Sequence, residues 1–591
     1  MSFNVYYQDE LLALRTLGKE FAQRNPALAP FLDTPGRDPD VERILEGFSF
    51  LTGRLRQKLD DELPEITHSL FNLLWPNYLR PIPAASVIRY MPGDNISGAV
   101  TIPKGTEVES VETRGLRCRF RTVYDTEILP LRIVDQSVRE RDGMASLVLR
   151  IAAQGASLEN LPLKRLRFFI SGEPAIAHTI YFSMVARTRE VRVVLHDAKL
   201  EEHTAAVLPA RESIRAVGFR EDEGMYPYPA NTFPGYRILQ EYFCFPEKFL
   251  FVEVSGLERG LNGDRLKTVP GAQEFELHFV LDQLPEQYES FRADNWHLFC
   301  TPVVNLFSMD ASPLTLDQRQ SEYRVVPDPR RPYHYAVYSV DSVGTWGHDD
   351  RHSRRYLSFE SFEHDTGESG DHAYYRLRLR PSHHDECPET YISIVHTADS
   401  AALPQGETIS LELTCTNRLL PHELRMGDIR VHADNTPDAV RFANITPVVP
   451  SFSPPLEGDI LWRLLSNMSL NYVSLTDVSA LRAVLAAYDF RARHDRPRAR
   501  MLEKTLKGML RIHCSESDRI YGGLPVRGAQ TRLVLDQRAF CAEGAMYLFG
   551  SVLNEFFALY ATVNSFHQLT IEEASRGEEY RWPARLGRIS L

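Results

Sequence analysis

Between Ser86 and Val449 one pattern recurs: short apolar runs rich in β-branched and aromatic residues, such as Leu147–Ile151, Arg167–Ile170, Val191–Leu195 and Phe249–Val254, broken by Pro, Gly, Asp and Asn. Runs of this length and composition fill strands rather than helices, and the residues between them favour turns. So long a stretch exceeds one sandwich. The spacing therefore predicts at least two sandwich-like or barrel-like units, with the acidic stretch Glu221–Gly224 on a loop joining them.

Both flanks have helical periodicity instead. Leu11, Leu14, Gly18 and Phe21 share a face of a first helix, which Pro26 and Pro30 end. Asp38 can cap a second and Pro39 opens it. Val41, Ile44, Leu45, Phe48, Leu51, Leu55 and Leu59 then follow at intervals of three and four, an amphipathic stripe that can pack internally or against a partner helix. Pro64 starts a third helix, with Ile66, Leu70, Leu73 and Leu74 inward, and Pro76, Pro81 and Pro83 close the region. After Pro455 helical spacing returns in Ile460–Leu470, in Leu481–Tyr488 behind the cap candidate Thr476, and in Ala545–Tyr560, with the strand-like Thr531–Leu535 between. The expected fold class is α+β multidomain. It comprises N-terminal amphipathic helices over 1–83, β-rich domains over 84–220 and 221–450, and a mixed α/β C-terminal domain over 451–591.

Chemistry is hard to find along this chain. Over 591 residues, 79 Asp and Glu face 67 Lys and Arg, a net charge of -12 that argues against bulk attraction to nucleic acid or anionic lipid. The opening MSFNVYYQDELLALR does not read as a signal peptide. The most apolar stretch, Ala545–Val563, is interrupted by Asn554 and Glu555, so no membrane span is expected. Seven cysteines are scattered without CxxC spacing, which fits a reducing cytoplasm. No GxxxxGK[ST] loop, GxGxxG turn or GxSxG elbow is present, and neither a catalytic site nor a cofactor is expected.

Two clusters carry the competing reading, a cytoplasmic metal-dependent hydrolase on a β-rich scaffold. His348 and His352 have the i, i+4 spacing of a zinc helix, but an Asp follows the first and no apolar stripe supports a helix there. His383, His384, Asp385, Glu386 and Cys387 adjoin one another, and neighbours in extended chain point in opposite directions. Both read better as charged loops, and no metal ligand is assigned. The run Asp60-Asp61-Glu62 reads as solvated or partner-bound. From Leu481 to Arg532, twelve Lys or Arg stand against five Asp or Glu, including Arg491, Arg493, Arg496, Arg498 and Arg500. With few aromatics among them, these suit a docking surface for an acidic protein better than a nucleic-acid site.

Larger blocks are more specific. YYQDELLALRTLGKEFAQRNPALAPFL, DPDVERILEGFSFLTGRLRQKLDDELPEI and LLWPNYLRPIP open the chain; Gly235–Phe251, Val304–Phe307, Leu413–Pro421, Trp462–Leu475, Tyr547–Tyr560 and Asn564–Phe566 continue it. In order and over nearly the whole length, they resemble the TssF family, a baseplate wedge subunit of the bacterial type VI secretion system. That resemblance implies a structural protein of a contractile injection machine, not an enzyme. It implies two copies joined to one TssG, contacts with TssE, TssK, the spike hub protein and neighbouring wedges, and a cytoplasmic place beneath the inner-membrane complex, with no nucleic acid and no membrane span. It also favours a bundle shared with TssG through Val41, Ile44, Phe48, Leu51, Leu55 and Leu59. Two copies on one TssG would differ in conformation at hinge loops such as Pro76–Pro83.

Overall fold

The computed structural model describes residues 3–24, 39–60, 64–93, 96, 98–141, 144–196, 202–228, 234–262, 265–266, 269, 273–317, 319–345, 355–359, 373–382, 387–396, 407–437, 439–454, 456, 477–521, 523–558, 561 and 565–587. These fall into two compact units, one within Met1–Leu73 and Pro455–Met468, the other within Leu74–Pro454 and Ser469–Leu591. The architecture is mixed α and β, with helices at both ends and a strand-rich middle.

The first unit holds α1 (Phe3–Arg24), α2 (Pro39–Asp60) and most of α3 (Pro64–Leu74). As the proline spacing predicts, α2 starts at Pro39 and α3 at Pro64; the cap candidate Asp38 lies outside the described residues. α1 and α2 pack along each other. On α1, Leu11, Leu14 and Gly18 are half-buried, as are Tyr7, Glu10 and Arg15, while Phe21, expected on the same face as the first three, is 51% exposed. On α2 the buried positions are Ser49 and Gly53, flanked by the half-buried Leu45 and Thr52. Small side chains let helices approach closely. The hydroxyls this buries are satisfied within the helix, from Ser49 to the Leu45 carbonyl at 2.7 Å and from Thr52 to the Phe48 carbonyl at 2.8 Å.

The second unit is organised by sheets. Six antiparallel strands run, edge to edge, Ile429–His432, Glu107–Thr113, Leu116–Thr122, Cys300–Val304, Ala85–Pro92 and Val440–Asn444. The two edges meet: Ile429 N donates to Asn444 Oδ1 at 2.9 Å and Gly427 N to the Asn444 carbonyl at 3.0 Å, nearly closing the sheet into a barrel. A five-stranded sheet follows the order Glu202–Pro209, Thr188–His196, Glu274–Leu281, Met144–Ala153, Leu131–Arg141. A four-stranded one follows Ile214–Ala216, Phe251–Ser255, Arg165–Ile170, Trp296–Leu298. All three take strands from both sides of residue 220, so the border expected there does not separate them. Residues 307–416 contribute two four-stranded sheets that share one core of Phe307, Val343, Ile392, Ile409, Leu411 and Leu413.

Helices sit among these sheets: α4 (Pro174–Val185), α5 (Pro234–Cys244), α6 (Val478–Tyr488), α7 (Arg496–Lys507) and α8 (Glu543–Ala558). The long hairpin Met509–Tyr521 and Leu524–Leu535 leads through α8 to Ser565–Glu573, which pairs parallel to the second hairpin strand. α8 is buried almost all round, by Met546, Leu548, Phe549, Val552, Leu553, Phe556 and Phe557. An evenly apolar helix of this kind belongs inside a large core. At Gly544 the helix comes so close to α4 that an added Cβ would lie 1.9 Å from the His178 carbonyl oxygen.

Candidate functional site

Two of the blocks that carry the family resemblance, the one around Trp75 and the one holding α5, meet in the second unit. Trp75 packs with tilted rings against both Tyr236 of α5, with ring centroids at 5.2 Å, and Tyr488 of α6, at 5.1 Å, while those two tyrosines stack on each other at 5.8 Å. Its indole N–H donates to the Tyr228 hydroxyl at 3.3 Å, and that hydroxyl donates to Gln240 Oε1 at 2.5 Å. Asn77 Nδ2 donates to the Pro227 carbonyl at 2.8 Å. Pro76–Tyr78, the start of the stretch Pro76–Pro83 expected to differ between copies, is a short helical turn with Asn77 and Tyr78 buried. Elsewhere, Asn305 and Asn417 clasp each other. Asn305 Nδ2 donates to Asn417 Oδ1 at 2.7 Å, and Asn417 N donates to Asn305 Oδ1 at 2.7 Å.

α5 and the turn after it bury charge. Lys248 and Glu241, both wholly buried, form an ion pair, and Lys248 Nζ also donates to the Gly218 carbonyl at 3.0 Å. Burial lowers the lysine to about 8, against the pull of Glu241 and with the repulsion of Arg237. Met225 N donates to Glu241 Oε1 at 2.6 Å, and Arg237 donates to the carbonyls of Glu221 and Arg220, each at 3.0 Å. Glu223 accepts from Gly218 N at 2.7 Å and from Arg215 at 2.6 Å; burial opposes its ionisation, and these bonds with the Arg215 charge hold its carboxyl below the usual range. The acidic stretch is thus a turn whose Glu223 and Gly224 are clamped inward while Glu221 and Asp222 stay exposed. Sequence reasoning passed over Lys248, whose signal is a lysine enclosed by Phe245, Phe249 and Phe251.

The basic segment divides by direction. Arg491 donates to the Cys244 carbonyl at 3.2 Å and Arg498 to the Phe243 carbonyl at 3.2 Å, so two guanidiniums cap the carbonyl end of α5. Arg498 also donates to Asp489 at 3.2 Å; burial raises the Asp489 carboxyl although Arg498 and Arg491 face it. Arg493, Arg496 and Arg500 are exposed. Arg491, Arg498 and Arg500, with Lys504, line a cavity of about 830 Å³ whose wall is mainly apolar; Arg493 and Arg496 do not.

In the first unit, Ile44, Phe48 and Leu51 are 70%, 54% and 61% exposed. They project from α2 on a face well away from Ser49 and Gly53, since residues advance about 100° each round a helix. The side chains of Val41, Leu55 and Leu59 lie outside the described residues, as do Asp61 and Glu62. His348, His352 and His383–Glu386 also lie outside them. Cys387 is buried, with Ser453 Oγ 3.8 Å from its sulfur. Among the described residues no group of three or more His, Cys, Asp or Glu is placed to hold a metal ion, and no helix is long and apolar enough to cross a membrane.

The chain is 29% identical to the type VI secretion system component TssF1 of Pseudomonas aeruginosa, over 98% of each. It is similar to a chain in a TssK-TssF-TssG baseplate subcomplex of the type VI secretion system, with a TM-score of 0.74 and 31% identity, covering 93% of this chain and 100% of that one. A chain in a baseplate complex of the same system matches with a TM-score of 0.67 and 27% identity, over 99% of each. These matches are named for secretion components, which leaves the metal-hydrolase reading without support. The family model described as "Type VI secretion system, TssF" matches residues 1–589, and the chain belongs to that family.

Proposed function

We propose that this chain is a wedge subunit of the type VI secretion baseplate and works as a scaffold without catalysis. It assembles in the cytoplasm, beneath the inner-membrane complex, with TssG and TssK, two copies of the chain to one TssG. TssE, the spike hub protein and neighbouring wedges complete the platform from which sheath and tube grow. The observation that carries this reading is a match along the full length to a chain seen in a TssK-TssF-TssG subcomplex. The outward side chains Ile44, Phe48 and Leu51 support a helical bundle shared with TssG, because apolar groups this exposed are stabilised by a partner that covers them. Two identical chains around one TssG occupy different surroundings. The two copies differ in conformation at hinge loops such as Pro76–Pro83. Co-expression with TssG and TssK, followed by native mass spectrometry, tests this; the expected species holds two copies per TssG. A solitary monomer from that preparation overturns the proposal.

A further inference from the structure

The second unit holds a cavity of about 830 Å³ beside α7. Its floor is apolar, formed by Phe169, Ile170, Tyr242, Pro246, Leu250 and Phe540. Two methionines in its lining, Met426 and Met501, are 58% and 55% exposed, and methionine there offers a pliable, polarisable surface to an incoming side chain. Charge adds a second, independent observation. Asp489 is neutralised by Arg498 at 3.2 Å, and Arg491 spends its hydrogen bond on the uncharged Cys244 carbonyl. Arg491, Arg500 and Lys504 therefore face Glu247 as the other acidic group in the lining. This local cationic excess sits on a chain of net charge -12, so it is not the general character of the surface.

We infer that this groove receives an acidic amphipathic helix from another baseplate protein, its apolar side chains set on the Phe169–Phe540 floor and its carboxylates on Arg500 and Lys504. Helix-in-groove recognition uses this division between an apolar floor that supplies affinity and charged lips that set orientation and partner. A volume of about 830 Å³ accommodates several large side chains from one helix face. The inference rests on the scaffold reading above and goes beyond it by naming the site and the chemistry of its occupant.

The groove carries its own reporter, because Cys541 lines it and is exposed. Maleimide labelling of Cys541, followed by peptide mass spectrometry, is to be compared between the isolated full chain and the purified baseplate assembly. The expected result is at least tenfold slower labelling in the assembly. Arg500→Glu with Lys504→Glu, both substitutions on exposed positions, should restore the fast rate while thermal unfolding of the isolated chain stays unchanged. A photo-crosslinking residue in place of Met501 should link, in the assembly, to a peptide rich in Asp and Glu with apolar residues at helical spacing. Equal labelling in the two states overturns the inference and leaves the scaffold reading standing. So does a crosslink to a second copy of this chain, or to a segment without carboxylates. Failure to obtain any assembly removes both.

Discussion

Lys248 shows how much of this molecule is decided by single side chains. A lysine with no exposure is stable only because Glu241 and the Gly218 carbonyl accept its hydrogen bonds, and the same glutamate ties down the backbone at Met225. Lys248→Met should cost about 3 kcal/mol in urea unfolding, since it leaves a buried carboxylate without its cation. Lys248→Met with Glu241→Gln should recover part of that loss. Glu276 gives the acid limit. Burial alone would raise its carboxyl, but the hydrogen bond from His278 and the charges of Arg139, His196 and His278 hold it down to about 2. The folded chain thus binds that proton more weakly than the unfolded one. The associated stability is complete above about pH 4.5 and is lost as pH falls through about 2. Glu276→Gln should be less stable at neutral pH yet lose less between pH 4.5 and 2, as read by urea midpoints across that range. Neither group was legible in the sequence. Lys248 finds Glu241 only because a short turn after α5 folds the chain back, and Glu276 collects its partners from neighbouring strands.

At the scale of elements, local periodicity was readable and the choice between faces was not. The starts of α2 and α3 follow from Pro39 and Pro64, and the spacing in Ala545–Tyr560 gives α8. Yet α2 turns Ser49 and Gly53 inward rather than Ile44 and Phe48. The spacing alone allowed the stripe to pack internally or against a partner, and within this chain Ile44, Phe48 and Leu51 are left exposed. Ile44→Asp, Phe48→Asp and Leu51→Asp together should leave the circular dichroism of the isolated chain unchanged and abolish co-purification with TssG. α8 makes the opposite demand. Gly544→Ala puts a methyl group against backbone, not a movable side chain, and should cost about 3 kcal/mol or prevent soluble expression. α5 was hidden for another reason: an eleven-residue helix inside a strand-rich stretch interrupts the pattern too briefly to be read from it.

For the whole molecule, the proposed roles can be tested unit by unit. The second has its own buried core, from Trp75 and the barrel-like sheet to α8, and its groove lies wholly within it. A chain lacking residues 1–60 should therefore keep a cooperative thermal transition close to that of the full chain while losing TssG, measured by scanning calorimetry and pull-down. The strand content of the middle was legible; its partition was not, because strand partners are chosen across hundreds of residues and leave no local trace. That choice also has a consequence in time. Ala85–Pro92 is flanked by Cys300–Val304 and Val440–Asn444, so one of the first strands to leave the ribosome has both neighbours still unmade. At typical bacterial synthesis rates it waits roughly 20 to 70 s for the second of them. During that interval its edges are open to any other nascent chain, including another of its own kind emerging from the same messenger. A chain broken off between Pro92 and Val440 never ends that wait, which makes such truncated products of this protein a burden on chaperones.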